Sequence, residues 1–273
     1  FVEGESGLPK AVIRHELAAA EVYLHGGHVA AFSPAGAGEV LWMSEEAVFA
    51  PPKPIRGGVP VCWPWFGPKE GFPQHGFARN RIWQVRGSEA GSLTLGLSDD
   101  EESREVWPHA FDLELSVTVG ARLQLALRSR NTGVEPIEIG GALHTYFTVG
   151  AIDQIAIHGL EDCEYLDSLA GGEKKRQDGP VRFAGEVDRI YLDRNAFMEI
   201  DDPVLQRRIR VSKEGSATTV VWNPWVDKSA AMGDFPNDGY KSMVCIETTN
   251  AADDVHVLQP GGEHVMAQIV ELV

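Results

Sequence analysis

The sequence predicts an all-β fold, a large antiparallel β-sandwich with few short helices. Three observations predict it: apolar and polar residues alternate with a period of two, turn residues punctuate the chain at short intervals, and windows with helical period are scarce. The alternation is clearest at Phe111, Leu113, Leu115, Val117 and Val119, interleaved with Asp112, Glu114, Ser116 and Thr118. Gly120-Ala121 then turns the chain, and Leu123, Leu125 and Leu127 alternate again up to Arg130, so this pair predicts a hairpin. Before it, strand-like runs stand at 11–17, 21–25, 39–43 and 92–97. After it they recur at 137–146, 152–158, 189–192, 205–211, 218–222, 243–247, 255–258 and 264–270. Gly26-Gly27, Gly171-Gly172, Asp202-Pro203, Asn237-Asp238-Gly239 and Pro260-Gly261-Gly262 are among the separators. The helical windows are Ser44–Phe49 and Asp100–Val106. With no linker, low-complexity tract or repeat, the chain reads as one domain spanning 1–273.

One segment follows neither period. Ile55 to Trp83 reads IRGGVPVCWPWFGPKEGFPQHGFARNRIW, dense in Pro, Gly, Trp, Phe, His and Arg. Such composition folds poorly for its own sake and marks a shaped surface. Around it lie Lys53, Arg56, Lys69, Arg79, Arg81 and Arg86 against Glu70 alone, although the whole chain carries 24 basic and 40 acidic residues and a formal charge of −16. A cationic, aromatic-walled island on an anionic protein suits a small anionic ligand.

Composition removes several function classes. An acidic pI near 4.9 argues against nucleic acid and anionic membranes as partners. No apolar run approaches the roughly 20 residues of a membrane-spanning helix, and no basic stretch leads into an apolar signal core. Cys62, Cys163 and Cys245 form an odd, widely spaced set without CxxC, which reads as reduced thiols in a cytoplasmic protein. GxGxxG, GxxxxGK[ST] and HExxH are missing, and Gly4-Glu5-Ser6-Gly7-Leu8 fails as a nucleophile elbow at its last position. His25 and His28 make an incomplete ligand set, so no metal and no cofactor are expected.

Three further segments carry chemistry. His144 stands in the apolar strand end Gly141–Phe147, and Glu247 closes the apolar run of Met243–Ile246. Val220–Lys228 adds Trp222, Trp225 and a cation. A carboxylate after Val-Cys-Ile is expensive to bury unless paired or used. Taken singly, His144 reads equally as a hydrogen-bonded core histidine and His75 as a loop-stabilising donor, while Glu247 reads more readily as a strand-end residue meeting solvent.

Taken together, IRGGVPVCWPWFGP, PQHGFAR, LHTYF, GLxxCEYLD, EVDRIYLD, VVWNPW and CIETTN, in order from about Arg56 to Asn250, resemble the D-hexose-6-phosphate mutarotases. These are also called glucose-6-phosphate 1-epimerases and are a branch of the aldose 1-epimerase superfamily. The resemblance implies a galactose mutarotase-like supersandwich and an isomerase that interconverts the α and β anomers of a hexose 6-phosphate, glucose 6-phosphate foremost. It implies His144 as general acid, Glu247 as general base, and Arg56, Gln74, Arg79 and Asp188 as sugar-phosphate contacts. His75, Arg81, Lys228 and Trp225 are weaker candidates around them, and Trp63, Trp65, Phe66 or Trp225 are candidates to pack on sugar C–H faces. Mutarotation needs one proton removed from the 1-hydroxyl and another delivered to the ring oxygen, which a carboxylate and a histidine can do without metal or nucleotide. Arginine forks suit a phosphate dianion. The expected partner is the small sugar phosphate alone, bound by a monomer. The rival readings are a neutral-aldose 1-epimerase, which shares acid and base but needs no cationic island, and a non-catalytic sugar-phosphate binding protein. A glycoside hydrolase using Glu247 with Asp188 would require a suitable carboxylate separation.

Overall fold

A computed structural model describes all of residues 1–273. Two eight-stranded, wholly antiparallel sheets dominate it, as the alternation predicts. The first runs in spatial order Glu173–Arg176, Glu164–Asp167, Val187–Leu192, Thr218–Asn223, Met243–Asn250, Gly141–Leu143 and Val61–Cys62, with Tyr146–Thr148 also paired to Met243–Asn250. The second runs Ala156–His158, Phe197–Asp202, Arg207–Glu214, Glu263–Leu272, Arg122–Asn131, Phe111–Val119, Ser92–Ser98 and Gln84–Glu89. A four-stranded sheet from the first 34 residues and a two-stranded pairing of Ile137–Ile139 with His256–Leu258 complete the pattern.

The Phe111–Val119 and Arg122–Asn131 hairpin buries every odd-numbered residue of both strands, so the pleat alone decides what faces the core. One hydrophobic cluster joins side chains from both large sheets, among them Leu115, Leu127, Val211, Val221, Ile246, Met266 and Val270. Burying such side chains contributes roughly 1.5–3 kcal/mol each before the entropy of ordering is charged. A polar thread crosses the same interior: Thr145 Oγ1 donates to Gln268 Oε1 at 2.5 Å, and Gln268 Nε2 donates to Thr248 Oγ1 at 3.1 Å.

Several expected elements change. The helix predicted at Asp100–Val106 forms at Glu101–Val106, held by a capping box between Asp100 and Ser103. The other window, Ser44–Phe49, is only a turn, and Glu39–Met43 makes isolated bridges rather than a strand. A short helix, Trp225–Ala231, appears where the sequence suggested none. The single long run at Ile137–Tyr146 breaks into Ile137–Ile139, Gly141–Leu143 and Tyr146–Thr148. That break matters, because it frees His144 from the ladder.

Candidate active site

Met243–Asn250 is buried on both faces, and its period of two sorts eight residues into two functions. Val244 and Ile246 enter the main core. Met243 and Cys245 point the other way, into a smaller cluster with Trp42, Tyr146, Val220, Trp222 and Phe235, and Glu247 follows on that same side. Cross-strand register fixes its neighbours: Glu247 lies opposite Val220, Trp222 opposite Cys245, Asp188 opposite Trp222, and Tyr146 opposite Cys245. The outer face of the first sheet therefore presents Asp188, Ile190, Val220, Trp222 and Glu247 to one cleft of about 670 Å³.

His144 closes this floor. Its backbone amide donates to Pro60 O instead of to a strand neighbour, and its ring stacks on Tyr146 with centroids 4.9 Å apart and planes 8° apart. Trp222 meets the same imidazole edge-on. His144 Nε2 lies 3.4 Å from Glu247 Oε1, with the two side chains 10% and 1% exposed. Burial, then His75, Arg79 and Arg56, hold the His144 imidazole well below its ordinary range. Burial and the Asp188 carboxylate push Glu247 well above the carboxylate range. Over the interval between, the pair holds one proton. Glu247 Oε2 and His144 Nδ1 are buried without a partner, which an idle core position rarely tolerates.

The Pro54–Trp83 loop forms the cleft's wall. Gly76 lies so close to Trp63 that a Cβ there would meet the Trp63 carbonyl oxygen at 2.0 Å, and its φ of +70° is one that L side chains avoid. Beside it His75 is clamped to Gly67 in both directions: its amide donates to Gly67 O and its Nδ1 accepts from Gly67 N at 3.1 Å. Burial and the two arginines depress its pKa to about 3, so it is neutral. The tautomer that accepts at Nδ1 carries its proton on Nε2.

Arg56, Gln74, Arg79, Asp188 and Lys228 all line the cleft with His144, Glu247 and His75. Arg79 donates to Gln74 O at 2.7 Å, while its buried Nε has no partner. Arg56 is braced from behind by Asp234 at 3.2 Å and by the Tyr146 hydroxyl at 3.1 Å. Lys228 Nζ bridges Glu186 at 2.9 Å and Asp188 at 3.8 Å.

Four expectations are corrected. Arg81 points away from the cleft and pairs with Asp100 and Glu102 beside the Glu101–Val106 helix. Arg86 likewise pairs with Asp112, so the cationic island is dispersed in space, and only Arg56 and Arg79 of its members reach the site. Trp225 packs on Tyr240 and does not line the cleft; Trp222, three residues earlier, does. Trp63 is a core anchor against Phe77, Trp107 and Phe111, and Trp65 is held by Pro73 O, which leaves Phe66 as the loop's aromatic wall. Sequence reasoning missed Tyr146 and Asp234 as braces. The Tyr146 signal was the HTY triplet, two residues beyond the histidine on one face, whereas nothing local marked Asp234.

The family model described as aldose 1-epimerase matches residues 9–270. A protein of Cenchrus ciliaris named "Putative glucose-6-phosphate 1-epimerase" is 39% identical, over 96% of this chain and 84% of its own length. One of the same name from Escherichia coli K12 is 38% identical, over 94% of this chain and 88% of its own length. The crystal structure of a "putative mutarotase" of Salmonella typhimurium superposes with a TM-score of 0.90 at 33% identity, covering 100% of this chain and 96% of the other. The chain belongs to the aldose 1-epimerase family.

Proposed function

We propose that the protein is a hexose-6-phosphate 1-epimerase, with glucose 6-phosphate as its substrate, Glu247 as general base and His144 as general acid. The observation that carries this reading is the convergence of a buried carboxylate–imidazole pair with two arginines and a lysine on one cleft. In the productive arrangement the pair's single proton is on His144 and Glu247 is ionised. Glu247 takes the proton of the 1-hydroxyl as His144 delivers one to the ring oxygen, and the C1–O5 bond breaks to leave an open aldehyde. Rotation about C1–C2 presents the other face of the carbonyl, and the same two groups return the protons as the ring closes. Both reacting oxygens sit on C1, so acid and base must stand a few ångströms apart, as 3.4 Å allows.

Arg56 and Arg79 hold the 6-phosphate, Arg79 through its unpartnered guanidinium edge and Arg56 through the edge not engaged by Asp234. Asp188 and Gln74 meet sugar hydroxyls, and Trp222 and Phe66 cover C–H faces. Three free cysteines suit the cytoplasm, and no helix is long and apolar enough to cross a membrane.

Substrate choice is tested by comparing catalysed mutarotation of glucose and glucose 6-phosphate. Charge-assisted hydrogen bonds are worth about 1.5–3 kcal/mol each, so two arginines predict kcat/KM at least roughly a hundredfold higher for the phosphate. Equal values would leave a neutral-aldose epimerase.

A further inference from the structure

Cys245 has no part in this mechanism, yet its thiol lies directly behind the catalytic pair. One donor atom from each of His144, Cys245 and Glu247 falls within 4.8 Å of the other two, and all three residues are buried. Two features set this cluster apart from an ordinary core cysteine. Glu247 Oε2 is buried beside the cleft with no hydrogen-bond partner. The donor set is also one nitrogen, one sulfur and one carboxylate oxygen, ligand types that zinc takes, and two of the three residues, His144 and Glu247, line the cleft.

The charged wall does not prevent a cation from entering. Arg56 is paired with Asp234, and Lys228 with Glu186 and Asp188. That leaves Arg79 as the one cation of the cleft without an ion-pair partner, and a carboxylate and a thiolate around the entering ion outweigh it.

We propose that His144, Cys245 and Glu247 form an inhibitory site for a thiophilic divalent cation, Zn²⁺ being the natural occupant. A ring nitrogen of His144, the Cys245 sulfur and a Glu247 oxygen bind the ion, and a water completes the tetrahedron from the cleft. Two protons leave for solvent as the ion binds: the Cys245 thiol proton as the S–Zn bond forms, and the single proton of the His144–Glu247 pair as the nitrogen and carboxylate oxygen take the ion. Binding withdraws both catalytic groups, so the ion and anomer exchange exclude each other. The inhibition rests on the acid–base reading given above, whereas the binding does not.

The test separates the two. The metal-stripped full chain is titrated with Co²⁺, whose tetrahedral thiolate complexes absorb in the near ultraviolet and visible, and in parallel with Zn²⁺ while glucose 6-phosphate anomer exchange is followed by NMR. The prediction is one Co²⁺ per chain with a thiolate band that survives Cys163→Ser and disappears in Cys245→Ser. Zn²⁺ should abolish wild-type exchange reversibly, a chelator restoring it. Cys245→Ser should keep its metal-free activity and resist Zn²⁺ by about tenfold or more, since even outer-shell partners of a metal site are worth that much. No thiolate band in the folded wild type, or a Cys245→Ser enzyme as sensitive to Zn²⁺ as the wild type, would overturn the proposal. If Glu247→Gln instead leaves anomer exchange intact, the acid–base reading fails while the Co²⁺ band still decides the metal site.

Discussion

At the scale of single residues, Glu247 and His144 owe their chemistry to what surrounds them. Burial raises the carboxyl and lowers the imidazole, so each titrates away from its ordinary range. In the proposed mechanism, taking a second proton onto the pair at low pH stops Glu247 acting as base. Losing the last proton at high pH leaves His144 none to give. A bell-shaped pH profile of kcat/KM follows, with its acid limb below the ordinary histidine range and its alkaline limb above the ordinary carboxylate range. A profile rising monotonically through both ranges would contradict the coupling. Both residues drew notice in the sequence because each is a polar group in an apolar run, a costly placement that asks for a use, but only the family resemblance implied that they act as a pair. Asp234 did not: its pairing with Arg56 is set by loop closure across the fold, which no local pattern records.

At the scale of elements, the first sheet supplies the floor and the Pro54–Trp83 loop the wall. Strand alternation located most of the sheets because a half-buried strand writes its burial directly into the chain. It blurred where both faces are buried, as in Thr218–Asn223 and Met243–Asn250, since a continuous apolar run hides which residue points where. The cationic island shows the converse error. Proximity in sequence suggested one basic surface, but Arg81 pairs with Asp100 and Arg86, on the strand after the loop, pairs with Asp112. Gly76 is the joint that sets the loop's path. Gly76→Ala drives a methyl into the Trp63 carbonyl at a backbone angle that only glycine takes comfortably. We expect a loss of about 1–3 kcal/mol in stability, read as a lower urea midpoint, with weaker substrate binding because His75, Gln74 and Arg79 all follow from that turn. An unchanged midpoint would mean the loop has another way through.

At the scale of the whole molecule, one core cluster runs from Ala11 to Val270 and draws on both large sheets and the amino-terminal sheet. Chain length and the lack of linkers suggested one domain, and this shared core predicts one cooperative unfolding transition. Tryptophan fluorescence and far-ultraviolet circular dichroism should give coincident urea curves; two separated transitions would divide the chain. The most direct test of the central claim is the catalysed anomer exchange of glucose 6-phosphate by wild type, Glu247→Gln and His144→Asn. Each substitution should lower exchange by about a hundredfold to ten-thousandfold while the folded far-ultraviolet spectrum and glucose 6-phosphate binding persist. Full exchange in either folded variant would contradict the assignment of proton transfer to this pair.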